Sequence, residues 1–257
     1  MTNTKLGRWT TETLYFLGGY AYLCRQIVSE LFRTRFEWRL LTEQIFQIGS
    51  RSMPLVLITA LSTGMVMTLQ FGIGLMKFGG APYVPKIVSL SILREMGPVF
   101  TSLMVAARVG AGMASEIGSM VVTQQVDAIR ALGTSPIQKI VIPRVIGCFI
   151  CLPLLAALAN VLGVLGGLMV GVSELNLDAG FYSLKVMTTL TLNDLFSGLG
   201  KCVFFSFFIS ITSCYYGLSV KEGTKEVGLA TTKAVVVSSI LVLGGDFFLT
   251  KLFYMLG

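Results

Sequence analysis

The feature that most constrains this chain is a run of 24 residues, 53–76, that contains no charged side chain. A helix rises about 1.5 Å per residue, so this run is long enough to cross about 30 Å of hydrocarbon with some tilt. The whole sequence of 257 residues is 54% hydrophobic and 13% charged, whereas a soluble domain carries about 25% charged residues. The sequence therefore predicts an all-α integral membrane protein.

Four further apolar stretches predict crossings, so we expect about five transmembrane helices in residues 53–257. The predicted spans are residues 53–76, 95–118, 145–173, 202–220 and 234–256. The third span repeats glycine every four residues, at Gly163, Gly167 and Gly171. This spacing lets another backbone approach closely, but glycine is also common in membrane helices.

Residues 1–52 precede the first clear span, and we expect them to form interfacial amphipathic helices. The apolar run at 13–24 is too short and too interrupted by glycine to cross the membrane stably. Within residues 36–48 one helical face carries Trp38, Leu41, Ile45 and Ile48. That pattern is typical of a helix in the headgroup region, and an ordinary packed helix is the alternative.

The net charge of +7 comes from basic residues around the apolar segments rather than from a stripe on a polar domain, which argues against nucleic acid as a partner. With the N-terminus in the cytoplasm, thirteen of the 20 Lys and Arg residues fall inside, six, including Lys201, fall outside, and Arg108 lies within a helix. The positive-inside rule then favours a cytoplasmic N-terminus and a C-terminus on the other side, which is the periplasm for the bacterial inner-membrane location that we expect. An odd number of crossings, five, also places the two termini on opposite sides of the membrane.

The five cysteines lie mostly in apolar stretches, and the sequence contains no histidine. Hydrocarbon surroundings disfavour the thiolate that a metal or redox site needs. We therefore predict no metal site, and we interpret the cysteines as packing residues.

Residues 121–133, between the second and third predicted spans, are predicted to form a short amphipathic helix. Thr123 is expected to cap its start, Gly133 to adopt the left-handed conformation after its end, and Pro136 to block continuation. The apolar stripe comprises Val122, Val126, Ile129 and Leu132, and the polar residues around it are Gln124, Gln125, Asp127 and Arg130. The helix either lies at the interface or is a coupling helix that seats in a groove of a nucleotide-binding subunit.

Three charges fall within or close to predicted spans: Arg108, Glu116 and Asp246. A central ionisable group costs about 2.5–3.5 kcal/mol on insertion scales and is usually paired. We expect Arg108 and Asp246 to brace helices, and Glu116 to lie near the cytoplasmic end. Their estimated depths differ, so no direct pair between Arg108 and Asp246 is predicted.

Several motifs occur in order from residue 53 onward, and together the chain resembles the MlaE (YrbE) family of ABC permeases. The matching pieces are GMVMTLQ at 64–70, LREMGPV at 93–99, ARVGAGMASEIGSM at 107–120, QQVDAIRALGTSPIQ at 124–138, PRV at 143–145 and LGGDFFLT at 243–250. Gln124 departs from the pattern, because family members often carry glutamate there, which puts one charged contact with the ATPase in doubt.

The resemblance implies a permease that moves phospholipids or related lipids between inner and outer membranes. Its implied partners are a second copy, an ABC ATPase subunit, a periplasmic MCE-domain protein and often a STAS-domain protein. The chain lacks the G-x-x-x-x-G-K-[ST] motif, so it has no expected cofactor and ATP and Mg²⁺ are expected on the ATPase. The implied lipid cavity lies between the two copies and is lined by Met67, Gln70, Leu75, Phe78 and Glu95.

Two other functions stay open from the residues alone. A proton-coupled secondary carrier would use Glu95, Arg108, Glu116 and Asp246, but no convincing internal repeat is present. An intramembrane enzyme acting on lipids would need a nucleophile beside a base, and none is evident in the sequence.

Overall fold

The computed structural model describes residues 5–31, 38–221 and 223–256, and every regular element in these ranges is helical. Residues 32–37, which include part of the predicted interfacial helix, lie outside the described residues. The α-helices of the described ranges are α1 (Lys5–Leu31), α2 (Trp38–Ile45), α3 (Met53–Met76), α4 (Val84–Ser91), α5 (Gly97–Val105), α6 (Ala111–Val122), α7 (Gln125–Ala131), α8 (Ile142–Ser173), α9 (Ala179–Thr189), α10 (Leu192–Leu218) and α11 (Thr224–Leu256).

Five helical stretches of the described chain are long and apolar enough to cross a membrane, which confirms the predicted all-α membrane fold. They are Trp38–Met76, Ala81–Val122, Ile137–Ser173, Leu192–Leu218 and Thr224–Met255. The first, second, fourth and fifth stretches begin 10 or more residues earlier than the predicted spans. The placement of Lys201 outside the spans is therefore wrong, because α10 already contains this residue.

The second stretch combines α4, α5 and α6 through two π-helical segments, Ile92–Met96 and Ala106–Gly110. A π segment inserts one extra residue into the helix and frequently marks a functional position. Here the two segments carry Arg94, Glu95 and Arg108. The charges of this span therefore lie where the helix departs from regular geometry.

Helices α3 and α8 pack backbone to backbone in the core. A Cβ atom on Gly64 would overlap the carbonyl oxygen of Gly163, and one on Gly166 would overlap that of Leu61. This confirms the predicted close approach at Gly163, because only small residues let two helix backbones meet in this way. Gly171 instead packs against the ring of Tyr182 in α9.

One end of the bundle collects α1, α7 and the start of α8. Leu23 and Ile27 of α1 join Val126, Ile140 and Cys214 in one buried apolar cluster. At the opposite end Leu175 packs against α4, and α9 covers that end. Val227, near the start of α11, packs against Gly118 of α6, whereas Phe253, near its end, packs against Gly200 in the first third of α10. The end of α11 therefore lies on the side of the bundle opposite α1 and α7, as the predicted parity requires.

The described part of the predicted interfacial helix corresponds to α2 and to the π-helical segment Phe46–Ser50 that continues it. Leu41 and Ile48 are buried, α2 packs against α8, and Trp38 is 71% exposed. The apolar stripe thus packs on the bundle along one edge and presents Trp38 at the surface. On the side of the helix that carries Leu41, the alternative interpretation of a packed helix is therefore the correct one.

The contact between α3 and α8 predicts a sharp difference between two glycines of one helix. Gly64→Ala forces the backbones apart, at an expected cost of about 1–3 kcal/mol. Gly74→Ala is the matched control, because a Cβ atom there meets nothing within 4 Å. Thermal unfolding in detergent is measured as the loss of the monodisperse elution peak after heating. The midpoint temperature should be lower than that of the wild type for Gly64→Ala and unchanged for Gly74→Ala. Equal midpoints would contradict the close approach.

Candidate functional site

The short helix α7 begins later than the sequence predicted. Thr123 does not cap it, because its hydroxyl donates to the Ser119 carbonyl oxygen of α6 at 2.8 Å. The chain instead turns at Gln124, which has a left-handed φ of 57°. The N-cap prediction for Thr123 is therefore wrong. The prediction for Gly133 is confirmed, since its φ is +74°, a conformation that glycine adopts without strain.

The helix α7 is fastened to the bundle on one side and exposed on the other. Val126 is 4% exposed, and Ile129 packs against the same cluster as α1. Val122 is half-buried, whereas Leu132, the last residue of the predicted stripe, is 82% exposed. On the outer side Asp127 and Arg130 form an exposed ion pair of 3.1 Å, and Gln124 is exposed beside them. The outer face of α7 is thus a small surface with one apolar and several polar side chains.

A buried charge centre joins three spans around Lys201, which is 1% exposed. Its ammonium nitrogen Nζ lies 2.6 Å from Glu95 Oε2 and 3.1 Å from Asp246 Oδ1. It also donates to Thr250 Oγ1 at 2.7 Å and to the Arg94 carbonyl oxygen at 3.0 Å. One ammonium therefore ties the π segment of the second span to α10 and α11. We call this group the Lys201 centre.

A second ion pair, between Arg94 and Asp194, lies beside the Lys201 centre. Asp194 also accepts from the Thr191 backbone N–H at 2.8 Å, which completes a capping box at the start of α10. Next to these groups is a cleft of about 460 Å³, toward the α9 end of the bundle. It is lined by Arg94, Glu95, Thr191, Asn193, Phe196, Ser197, Thr250, Phe253 and Tyr254.

The five residues implied for a lipid cavity do not line one cavity within a single copy. Met67 and Leu75 are half-buried and pack against the cluster that contains α4. Gln70 is exposed and Phe78 is 86% exposed. Glu95 belongs to the Lys201 centre and faces the cleft. Any cavity that includes all five would need a surface from outside this copy.

Each intramembrane charge of the sequence analysis has a defined partner in the structure. Arg108 donates to the Ser52 hydroxyl at 2.8 Å, and Glu116 pairs with Arg144 at 3.0 Å. Asp246 contacts Lys201 rather than Arg108. These contacts join α3 to the second span, α6 to α8, and α10 to α11. They are the kind of contact that the predicted bracing role requires.

Comparison with known proteins identifies the family. The family model described as Permease MlaE matches residues 41–252. The chain belongs to the MlaE permease family. The motif resemblance is thereby confirmed, and the chain is a multi-pass membrane permease.

Three relatives show how far the similarity extends. A probable ABC transporter permease protein of Rickettsia conorii is 40% identical over 97% of this chain and 96% of its own length. The intermembrane phospholipid transport system permease protein MlaE of Haemophilus influenzae is 33% identical over 97% and 96%. The chloroplastic protein TRIGALACTOSYLDIACYLGLYCEROL 1 of Arabidopsis thaliana is 31% identical over 96% of this chain and 71% of its own length. The range matched by the family model, residues 41–252, spans the positions of α7 and of the Lys201 centre.

Sequence reasoning missed Lys201 as a site residue of this MlaE-family permease, together with Asp194 and Arg144. A usable signal was present, because the sequence Thr191-Leu-Asn-Asp194 matches the capping pattern at the start of a helix. Starting the fourth span there would have placed Lys201 about 13 Å inside it, at about 1.5 Å per residue. A lysine at that depth requires an acidic partner.

The Lys201 centre predicts a large cost for removing the ammonium. Lys201→Met leaves Glu95 and Asp246 without their shared counter-charge, and breaking a buried ion pair typically costs about 3–5 kcal/mol. Lys251→Met is the matched control, since Lys251 is exposed one residue after Thr250. We expect thermal stability in detergent to fall for Lys201→Met and to recover partly in Lys201→Met/Asp246→Asn. A Lys201→Met midpoint equal to that of the control would contradict the described centre.

Proposed function

We propose that this permease moves phospholipids or related lipids between the inner and outer membranes, using ATP hydrolysed by a separate ABC ATPase subunit. The observation that carries the proposal is the 33% identity, over 97% of this chain, to the Haemophilus influenzae permease of an intermembrane phospholipid transport system. The chain itself has no phosphate-binding G-x-x-x-x-G-K-[ST] loop. In this proposal ATP and Mg²⁺ are bound by the partner ATPase.

The proposed ATPase contact is the outer face of α7. Its apolar side is already occupied by the bundle through Val126 and Ile129, so Leu132, Asp127 and Arg130 are free to meet a partner groove. Because Val126 packs with α1 and the start of α8, force applied to α7 reaches several helices together. This arrangement supports a coupling helix over a helix that only lies at the interface.

The proposed lipid site is the cleft beside the Lys201 centre, completed by a second copy of the chain. Arg94 can contact an anionic headgroup, and aromatic side chains such as Phe253 can contact acyl chains. Gln70 of α3 and Phe78 just after α3 are exposed in one copy and do not line this cleft. A second copy that covers the end of α3 would enclose them. A periplasmic MCE-domain protein at the α9 end and a STAS-domain protein complete the proposed assembly.

The proposed orientation places α1 and α7 in the cytoplasm of a bacterial cell and the end of α11 in the periplasm. The α7 end carries exposed Arg39, Arg51, Arg130 and Lys139, which agrees with the positive-inside rule for an inner-membrane protein. An ATPase that docks on α7 must be cytosolic, so the orientation and the coupling proposal depend on each other.

The ATPase proposal predicts the effect of one exposed leucine. Leu132→Asp places a carboxylate at the proposed interface, and we expect ATPase co-purification and ATP-dependent transfer of labelled phospholipid between vesicles to fall about tenfold or more, equivalent to about 1.4 kcal/mol. For ATPase co-purification, Leu192→Asp is the matched control, because Leu192 is 73% exposed at the other end of the bundle.

Two results would contradict the proposal. The first is undiminished ATPase binding by Leu132→Asp in a preparation that elutes like the wild type. The second is lipid transfer that follows a proton gradient and needs no ATP, which would favour the secondary carrier.

A further inference from the structure

A second polar pocket lies on the α7 side of the bundle, away from the Lys201 centre. It has a volume of about 170 Å³, between α2 and the second span, and its lining residues include Gln44, Gln47, Arg51, Arg108 and Glu116. Arg108 follows Glu95 by 13 positions on the same span, which corresponds to about 20 Å along a helix. The pocket is therefore separate from the cleft proposed for lipid above.

The two lining arginines have most of their donors unused. A guanidinium group carries five N–H donors, and the one described bond of Arg108 is to the neutral hydroxyl of Ser52 at 2.8 Å. The guanidinium group of Arg51 has no hydrogen-bond or ion-pair partner among the described residues, and only its backbone N–H is bonded, to the Gly49 carbonyl oxygen. Neutral partners do not balance a charge within a membrane span, so these groups favour an anion between them.

The only carboxylate that lines the pocket in the described chain does not cancel this charge. Glu116 is paired with Arg144 at 3.0 Å. Three guanidinium groups, Arg51, Arg108 and Arg144, against one carboxylate leave a net charge of +2 around the pocket. The amide groups of Gln44 and Gln47 add further donors. This donor set has the chemistry of a phosphate site.

We propose that this pocket binds the phosphodiester headgroup of a phospholipid in the leaflet on the α7 side. A lipid is favoured over free phosphate because the pocket lies along the spans, and because Phe46 and Met53, on either side of Arg51 in sequence, are exposed apolar side chains. Acyl chains would lie against such surfaces while the headgroup meets the guanidinium groups. The identity of the ligand rests on the proposed lipid function, and the site would give the permease a lipid contact in each leaflet.

The test uses the permease with its co-purifying partners in nanodiscs without ATP. The probe is a phosphatidylglycerol with a photoactivatable acyl chain, and the comparison is a diacylglycerol with the same chain and no phosphate. Mass spectrometry locates the label. We expect phosphatidylglycerol to label peptides containing residues 44–51 or 108–116, and diacylglycerol to label them about tenfold less, since charge-assisted hydrogen bonds to phosphate are lost.

The variant Arg51→Gln tests the charge without disturbing a described contact. We expect it to lower labelling by about fivefold or more, because one charge-assisted bond is removed. The matched control is Arg39→Gln, which removes the same charge from α2, where Arg39 is 92% exposed and pairs with Glu43. Arg108→Gln should reproduce the loss, and Arg108→Lys should restore part of it.

Equal labelling by diacylglycerol, or unchanged labelling of Arg51→Gln, would overturn the proposal. Loss of label on addition of millimolar inorganic phosphate, with no preference for lipid, would identify a free-phosphate site instead and overturn the lipid assignment. ATP-dependent lipid transfer is measured in the same preparations. If lipid transfer occurs but no label is found in this pocket, only the headgroup site is contradicted. If the pocket is labelled but no ATP-dependent lipid transfer occurs, only the proposed function is contradicted.

Discussion

The rest of this structure depends on one ammonium group, that of Lys201, held between carboxylates on two other spans. Lys201, on the fourth span, lies 106 positions from Glu95 of the second span and directly contacts Asp246 of the fifth. Hydrocarbon cannot solvate any of these charges, so separating the helices would leave each one uncompensated. The ion cluster therefore specifies which faces of the second, fourth and fifth spans meet. It also holds the π segment Ile92–Met96 in the position from which Arg94 reaches Asp194 and the cleft.

Close backbone packing determines how the first and third spans meet, as the ion cluster determines how the second, fourth and fifth spans meet. Membrane helices gain little from burying apolar surface, because lipid is as apolar as their side chains. The contact of Gly64 with Gly163 instead brings two backbones together at a distance that no larger residue permits. Two different interactions therefore hold the bundle together, the buried ion cluster and the glycine-mediated backbone contact. At its α7 end, by contrast, ordinary apolar packing through Val126 fastens the short outer helix.

In the proposed mechanism, α7 and the second span have separate roles in transport. The outer face of α7 receives the ATPase, and its inner face transmits the movement to α1 and to the start of α8. The second span passes from that end to the cleft at the other, and its two π segments place Arg108 and Glu95 at different depths. Such segments are less regular than α-helix and are frequently found at functional positions. The charged groups that can meet lipid are thereby carried on the same span.

The sequence by itself determined the fold class, the approximate position of five spans, the placement of a short helix between the second and third spans, and, through its motifs, the family. Hydropathy and helical period are local properties, so they can be read along the chain. Only the tertiary structure decided that Lys201 is a buried partner of Glu95 and Asp246, that Arg108 bonds to Ser52, and that Gln124 rather than Thr123 begins the turn into α7. These outcomes depend on one backbone conformation and on which helix faces meet across separations from 45 residues (Lys201 to Asp246) to 106 residues (Glu95 to Lys201). Such contacts exist only once the spans have packed.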